Sequence, residues 1–311
     1  MPAGQVSRRA VLLGALTSAV GSLTACTGQP VHQPSELVLA TGPPGAVFRE
    51  IGGALAEVLA THLPHTHVMA RPSGASVENL RLLAEGAAQL AFAALDAVLS
   101  PPPTPGIAAV GRLYDSFLHL VVPAASPVNS LGQLEGRTVS LGTVGSGTEF
   151  TAGRLLLARD VRPRDVRLTQ ADSAVALGAG HIDAFFTLSG IPTPAITTLG
   201  QHTQVRLVPL PAEANALASA YPGMYEPATI PATTYEGIAP CATVTVPNLL
   251  LVRSDLPDDV VETVTAAVFT DSDRIAVGHP EARRINVRTG IATGPVPLHP
   301  GAQRWFRSVK R

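Results

Sequence analysis

From Glu36 the chain repeats one pattern: a short apolar run, a loop of glycine and small polar residues, then apolar positions at helical spacing. Leu37, Val38, Leu39 and Ala40 lead through residues 41–45 to Ile51, Leu55, Val58, Leu59 and Leu63, which share one helical face. Val68, Met69 and Ala70 lead through a Pro-Ser-Gly-Ala-Ser loop at 72–76 to a predicted helix with Val77, Leu80, Leu83 and Ala87 on one side. A third run, residues 90–95, ends at Asp96, which the pattern places as an exposed strand end. The order βαβαβ predicts a parallel sheet with helices on both faces.

The pattern restarts after a stiff Pro-rich loop at 100–106. An apolar run at 118–122 precedes a strand at 138–141, a loop at 142–147, a helix at 148–159 and a strand at 182–187 that leads to Ser189 and Gly190. A strand at 205–208, a helix near 212–220 and a proline-interrupted stretch at 222–240 follow, then a long apolar run at 243–252. The runs at 118–122 and 243–252 flank the second unit and are the natural crossings between two lobes. A helix at 257–277 and a short one near Trp305 should return to the first lobe. At 311 residues the chain is long enough for two cores.

Composition narrows the function. Charged residues make up 14% and the formal charge is −1, so no nucleic-acid footprint is present. Residues 1–25 read as a signal peptide: Ser7-Arg8-Arg9 is a basic opening, 10–20 is apolar, and Leu23-Thr24-Ala25 precedes Cys26. The apolar run is too short to span a hydrocarbon core. Leu-Thr-Ala-Cys resembles a lipobox, which makes Cys26 the expected lipidated N-terminus, followed by a linker at 26–35. The paired arginines resemble a twin-arginine signal, but Val11-Leu12-Leu13 stands where Phe-Leu-Lys is usual, so the export route stays open between that and Sec. Processing removes Arg8 and Arg9 and takes the charge to −3. Cys241 is then the one remaining thiol and no disulfide is expected.

Ligands of parallel α/β sheets sit beyond the carboxyl ends of the strands, where helix N-termini offer free N–H groups. Three loops rich in Gly, Ser and Thr lie there: Thr41-Gly42, Ser73-Gly74-Ala75-Ser76 and Gly145-Ser146-Gly147-Thr148. Ser146-Gly147-Thr148-Glu149 reads as a capping box, with Glu149 closing back on Ser146. Together the loops point to a cleft for a carboxylate or phosphate. Competing chemistry is weak. Val144 stands where a nucleophile elbow needs glycine, and neither a P-loop nor a dinucleotide fingerprint is present. His62, His65 and His67 have metal-like spacing but fall at a helix end and turn, where exposed histidines are common, so no metal is assigned. Asp96 and Asp183 could form a carboxylate pair, with Asp183 read as structural.

Six motifs in order carry a resemblance: Thr41-Gly42 with Gly52-Gly53, Ser76-Val77-Glu78-Asn79-Leu80-Arg81, Gly145-Ser146-Gly147-Thr148-Glu149, Gly190-Ile191-Pro192, Thr229-Ile230-Pro231 with Tyr235, and His299-Pro300-Gly301-Ala302. Across about residues 36–306 the chain resembles the TAXI family, the extracytoplasmic solute-binding subunits of TRAP transporters. The resemblance implies an α/β, two-lobed, periplasmic-binding-protein-like fold with the ligand cleft between lobe I (36–121 plus 246–311) and lobe II (122–245). It implies a small organic anion, such as a glutamate-like amino acid or a dicarboxylate, delivered to an ion-driven TRAP membrane permease. Carried over by position, the ligand residues are Thr41, Gly42, Phe48, Ser76, Asn79 and Asp96 in lobe I, and Gly145, Ser146, Gly147, Thr148, Gly190 and Pro192 in lobe II, with Thr229 and Tyr235 at the mouth. Ala46 and Phe48 depart from the family's usual Gly and Tyr, and Ala75 stands where it has Gly before Ser76. His299-Pro300-Gly301-Ala302 is read as a helix start.

The sequence-based expectation is a non-enzymatic, extracytoplasmic, lipid-anchored receptor, monomeric and without cofactor or nucleic-acid partner. The other reading is an exported enzyme or metal-dependent sensor on the same scaffold.

Overall fold

The expected apolar crossings are parts of the two longest strands of a 10-stranded sheet. The computed structural model describes residues 33–100 and 104–310, so the leader and Cys26 lie outside the described residues. The first unit runs β1 (Glu36–Ala40), α1 (Val47–His62), β2 (His67–Arg71), α2 (Ser76–Ala84) and β3 (Leu90–Ala94), with β1 parallel to both β2 and β3. In α1 the residues Ile51, Leu55, Val58 and Leu59 are buried as their spacing predicts. Helix α2 is rolled differently. Asn79 and Leu82 point inward and Val77 is 39% exposed, because the Asn79 amide is tied to carbonyls inside the fold. Strand β3 passes directly into a helical turn, α3 (Leu95–Val98), so Asp96 is fully buried and not an exposed strand end.

Strand β4 (Ile107–Pro123) is much longer than the run at 118–122, and it pairs antiparallel with β10 (Cys241–Arg253). Between them comes the second unit: β5 (Thr138–Ser140), α4 (Gly147–Ala158), β6 (Arg164–Val166), α5 (Gln170–Gly178) and β7 (Ala184–Ser189). α6 (Pro194–Gly200), β8 (Val205–Leu207), α7 (Pro211–Ala220) and β9 (Glu226–Ile230) follow. The sheet order is β2-β1-β3-β10-β4-β7-β5-β6, with β8 added to β4 and β9 to β10. Thus β2-β1-β3 and β6-β5-β7 repeat one arrangement on opposite sides of the central pair. Strand β9 lies within the stretch read as proline-interrupted. Its Pro227 is tolerated because β9 pairs only with β10 and one side of its ladder needs no donor.

The expected helix at 257–277 is two helices, α8 (Asp258–Thr270) and α9 (Ser272–Ile275), interrupted at Asp271, whose carboxylate meets His62 at 2.7 Å and Arg274 at 3.4 Å. After α10 (Val287–Gly290), His299 caps α11 (Pro300–Val309) by accepting from Gly301 N–H through Nδ1 at 3.2 Å. A bridge between Ala109 and Leu298 brings this C-terminal segment back onto β4. There Phe269, Trp305 and Phe306 pack ring on ring, with centroids 5.1–5.6 Å apart. Apolar clusters thus cover both sheet faces, as buried parallel strands require. Cys241 is buried and unpaired at the start of β10.

Candidate ligand site between the sheet halves

The loops after β1, β2, β5, β6 and β7 converge on a narrow cavity of about 30 Å3, whose lining carries no charged side chain. One half supplies Pro43, Ala46, Phe48, Ala75 and Ser76, the central strands supply Ser116 and Asn248, and the other half supplies Ser146, Gly147, Thr148, Gln170 and Gly190. A space of this size holds one or two waters.

Ser146 is the N-cap of α4 and accepts from Glu149 N–H at 3.0 Å. Glu149 accepts in turn from Gly145 N–H at 2.7 Å, one residue before the expected partner Ser146, because Gly145 at φ 74° turns its N–H toward the carboxylate. The N–H groups of Gly147 and Thr148 precede the first intrahelical donor, Phe150 N–H, and have no partner among the described residues. Helix α2 is arranged differently: Val77 and Glu78 both donate to the Gly145 carbonyl at 3.0 Å, so the opposite loop occupies its N-terminus. Thr143 Oγ1 adds a bond to the Gly74 carbonyl at 3.3 Å. The halves are clasped through these loops.

Residues 39–309 match the NMT1-like family. The chain belongs to the NMT1-like family. Similar folds among solved structures include a putative L-cystine ABC transporter protein from Listeria monocytogenes (11% identity, TM-score 0.55, covering 83% of this chain and 98% of that one). An ancestral arginine-binding protein bound to arginine is similar at 14% identity and TM-score 0.53, covering 82% and 99% of the two chains. The substrate-binding protein of an amino acid ABC transporter is similar at 12% and 0.52, covering 78% and 96%. At these identities the likeness concerns the fold, which is that of solute-binding proteins.

Of the residues singled out from sequence, this NMT1-like chain brings Phe48, Ser76, Ser146, Gly147, Thr148 and Gly190 to the cavity. The others lie outside its lining, each for a packing reason. Thr41 donates to the Arg71 carbonyl at 2.8 Å, and Gly42 sits against Phe48. Asn79 is fully buried and donates to the carbonyls of Thr41 and Phe92 at 2.8 Å. Asp96 accepts from Thr151 and Tyr225 hydroxyls at 2.7 Å, far from Asp183, which receives Thr138 N–H on another strand. The Gly145 carbonyl is used by α2, and the Pro192 carbonyl accepts from His279 Nε2 at 2.8 Å. Thr229 is exposed on β9. Tyr235 is buried, donating to His119 Nε2 and accepting from Thr193 N–H, both at 2.9 Å. Ser116, Gln170, Ser189 and Asn248 line the cavity without having been singled out. An amide inside the apolar run at 243–252 was the one available signal.

Buried groups near the site are held in defined protonation states. His119 Nδ1 donates to the Phe117 carbonyl at 2.9 Å, and burial lowers its pKa to about 4 although carbonyl bonds act against that. Burial pushes Tyr235 up to about 12. Behind Gly190, Glu281 Cγ and Tyr114 Cε2 each lie 3.0 Å from where a Cβ would be, so a larger residue there would press on both side chains. Burial raises Glu281 to about 7; Arg284 pulls it down and Asp115 pushes it up.

Two outcomes follow for stability. Ala75, the N-cap of α2, holds φ 81° and ψ −143°, a region that is essentially glycine's own. Strain there is about 1–3 kcal/mol and glycine costs about 0.4–1 kcal/mol in chain entropy, so Ala75→Gly should stabilise by about 1 kcal/mol. Urea unfolding measures it, and a less stable variant would refute the strain. The stability tied to the raised Glu281 pKa is fully present below its unfolded value of 4.5 and is lost as pH rises through about 7. Glu281→Gln should therefore gain on wild type by up to about 3 kcal/mol between roughly pH 5 and pH 8. Parallel pH profiles of the two melts counter this assignment.

Proposed function

We propose that this chain is an extracytoplasmic solute-binding receptor that captures a small organic anion and hands it to a membrane permease of the ion-driven TRAP type. The observation that carries the reading is the α4 N-terminus, with two free N–H groups, opening on a cavity lined from both sheet halves. Partial positive charge at that end favours a carboxylate where no cationic side chain is present. Lobe I would comprise 36–121 plus 246–311 and lobe II 122–245, opening by bending in β4 and β10. His62, His65 and His67 are exposed away from the cavity, His62 against Asp271, which gives the metal-sensor reading no support. No helix of the described residues is long and apolar enough to cross a membrane. Attachment would come from two acyl chains on Cys26. The intact mass of membrane-extracted protein should match a chain starting at acylated Cys26, and a different start removes the anchor.

A ligand specific to the folded state adds about 2.7 kcal/mol at a hundredfold excess over its Kd, worth several degrees in a chain of this size. Melts of the soluble chain against amino acids, dicarboxylates, keto acids, phosphates and divalent metals should single out a carboxylate. Gly147→Val should abolish the shift, since a Cβ at Gly147 would sit 2.9 Å from Ser76 Oγ and force the loops apart. A shift from metal alone, or a folded valine variant that still binds, would overturn the assignment.

A further inference from the structure

Among the described residues, six buried side-chain polar atoms have no hydrogen-bond partner, and two of them, Asn248 Oδ1 and Gln170 Oε1, belong to residues that line the cavity. Tyr114, whose Oη is a third, packs behind the Gly190 wall beside Glu281, whose Oε1 meets the Arg284 guanidinium at 3.2 Å. Leaving a buried polar atom unpaired costs about 1–3 kcal/mol, and sheet packing alone gives no reason to retain an amide here. Asn248 is 0% exposed in β10, directly before the apolar run Leu249–Val252, its Nδ2 donating to Ser116 Oγ at 2.8 Å. That bond directs the Asn248 oxygen away from Ser116. Gln170 is the first residue of α5, so it reaches the cavity from the opposite half.

We infer that Asn248 and Gln170 determine specificity by accepting hydrogen bonds from a donor group of the ligand, an ammonium or a hydroxyl, while the α4 N-terminus holds its carboxylate. The inference rests on the receptor reading above and narrows it: the ligand is a small carboxylate that carries a donor. A site that leaves polar atoms unpaired against the wrong ligand discriminates strongly, because the penalty falls only on the analogue lacking the group.

Calorimetric titration with skeleton-matched probes tests this: L-alanine and L-lactate against propionate, L-malate against succinate, and L-glutamate against glutarate. The donor-bearing member of the best-bound set should bind at least about tenfold tighter in wild type. Gln170→Leu and Asn248→Leu should reduce that preference to about twofold or less, a ratio that a merely structural residue would not move. Two variants are used because Asn248 is fully buried in the core, where a change risks the fold; Gln170→Leu alone decides the matter. Equal or tighter binding of the donorless partner, or preference retained in a folded Gln170→Leu protein, overturns the inference and leaves the receptor reading standing. Binding of none of these carboxylates overturns the receptor reading itself, and the inference with it.

Discussion

The antiparallel pairing of β4 with β10 is the constraint on which the rest depends. These strands sit at the centre of the sheet order, with β2-β1-β3 on one side and β6-β5-β7 on the other. A parallel strand needs a crossover helix to reach its neighbour, so each βαβ unit delivers its loops to one edge only. Joining two such units through one antiparallel pair brings both sets of loops to a common gap. Bulges between Pro247 and Leu249 and between Leu250 and Leu251 shift the register within that pair. They re-aim side chains beside Asn248, at the level of the cavity.

The gap is built asymmetrically. In α4 the N–H groups of Gly147 and Thr148 stay free, whereas in α2 those of Val77 and Glu78 are consumed by the Gly145 carbonyl of the opposing loop. The same loop therefore does two things, clasping one half and presenting the helix end of the other. Its conformation depends on Gly145 at φ 74° and on the Glu149 carboxylate that holds the Gly145 N–H, which Arg167 pairs with at 2.6 Å.

Polar groups buried around the cavity are largely structural. Asn79 ties β1 to β3, His119 and Tyr235 tie β4 to the loop after β7, and Asp96 ties α3 to α4 through Thr151 and to Tyr225. Each is satisfied by neighbours distant in sequence. Such networks fix one arrangement of the loops and leave Asn248 and Gln170 as the amides with an oxygen to spare.

Periodicity determined the elements. Apolar spacing located β1, α1, β3, α4 and the cores of β4 and β10, since one buried face imposes one period on the local sequence. The glycine loops located the edge where the cavity lies, because helix N-termini at strand ends are a property of the βαβ unit itself. What periodicity could not supply was direction and partner. Asn79 and Ser76 are both polar residues at one helix start, and only packing decides that one is tied inside while the other lines the cavity. Asn248 and Ser116 sit in strands with no loop signature, and they meet the cavity only because β4 and β10 pair across it. Long-range strand pairing determined that placement, because it joins residues more than a hundred positions apart, beyond the reach of any local pattern.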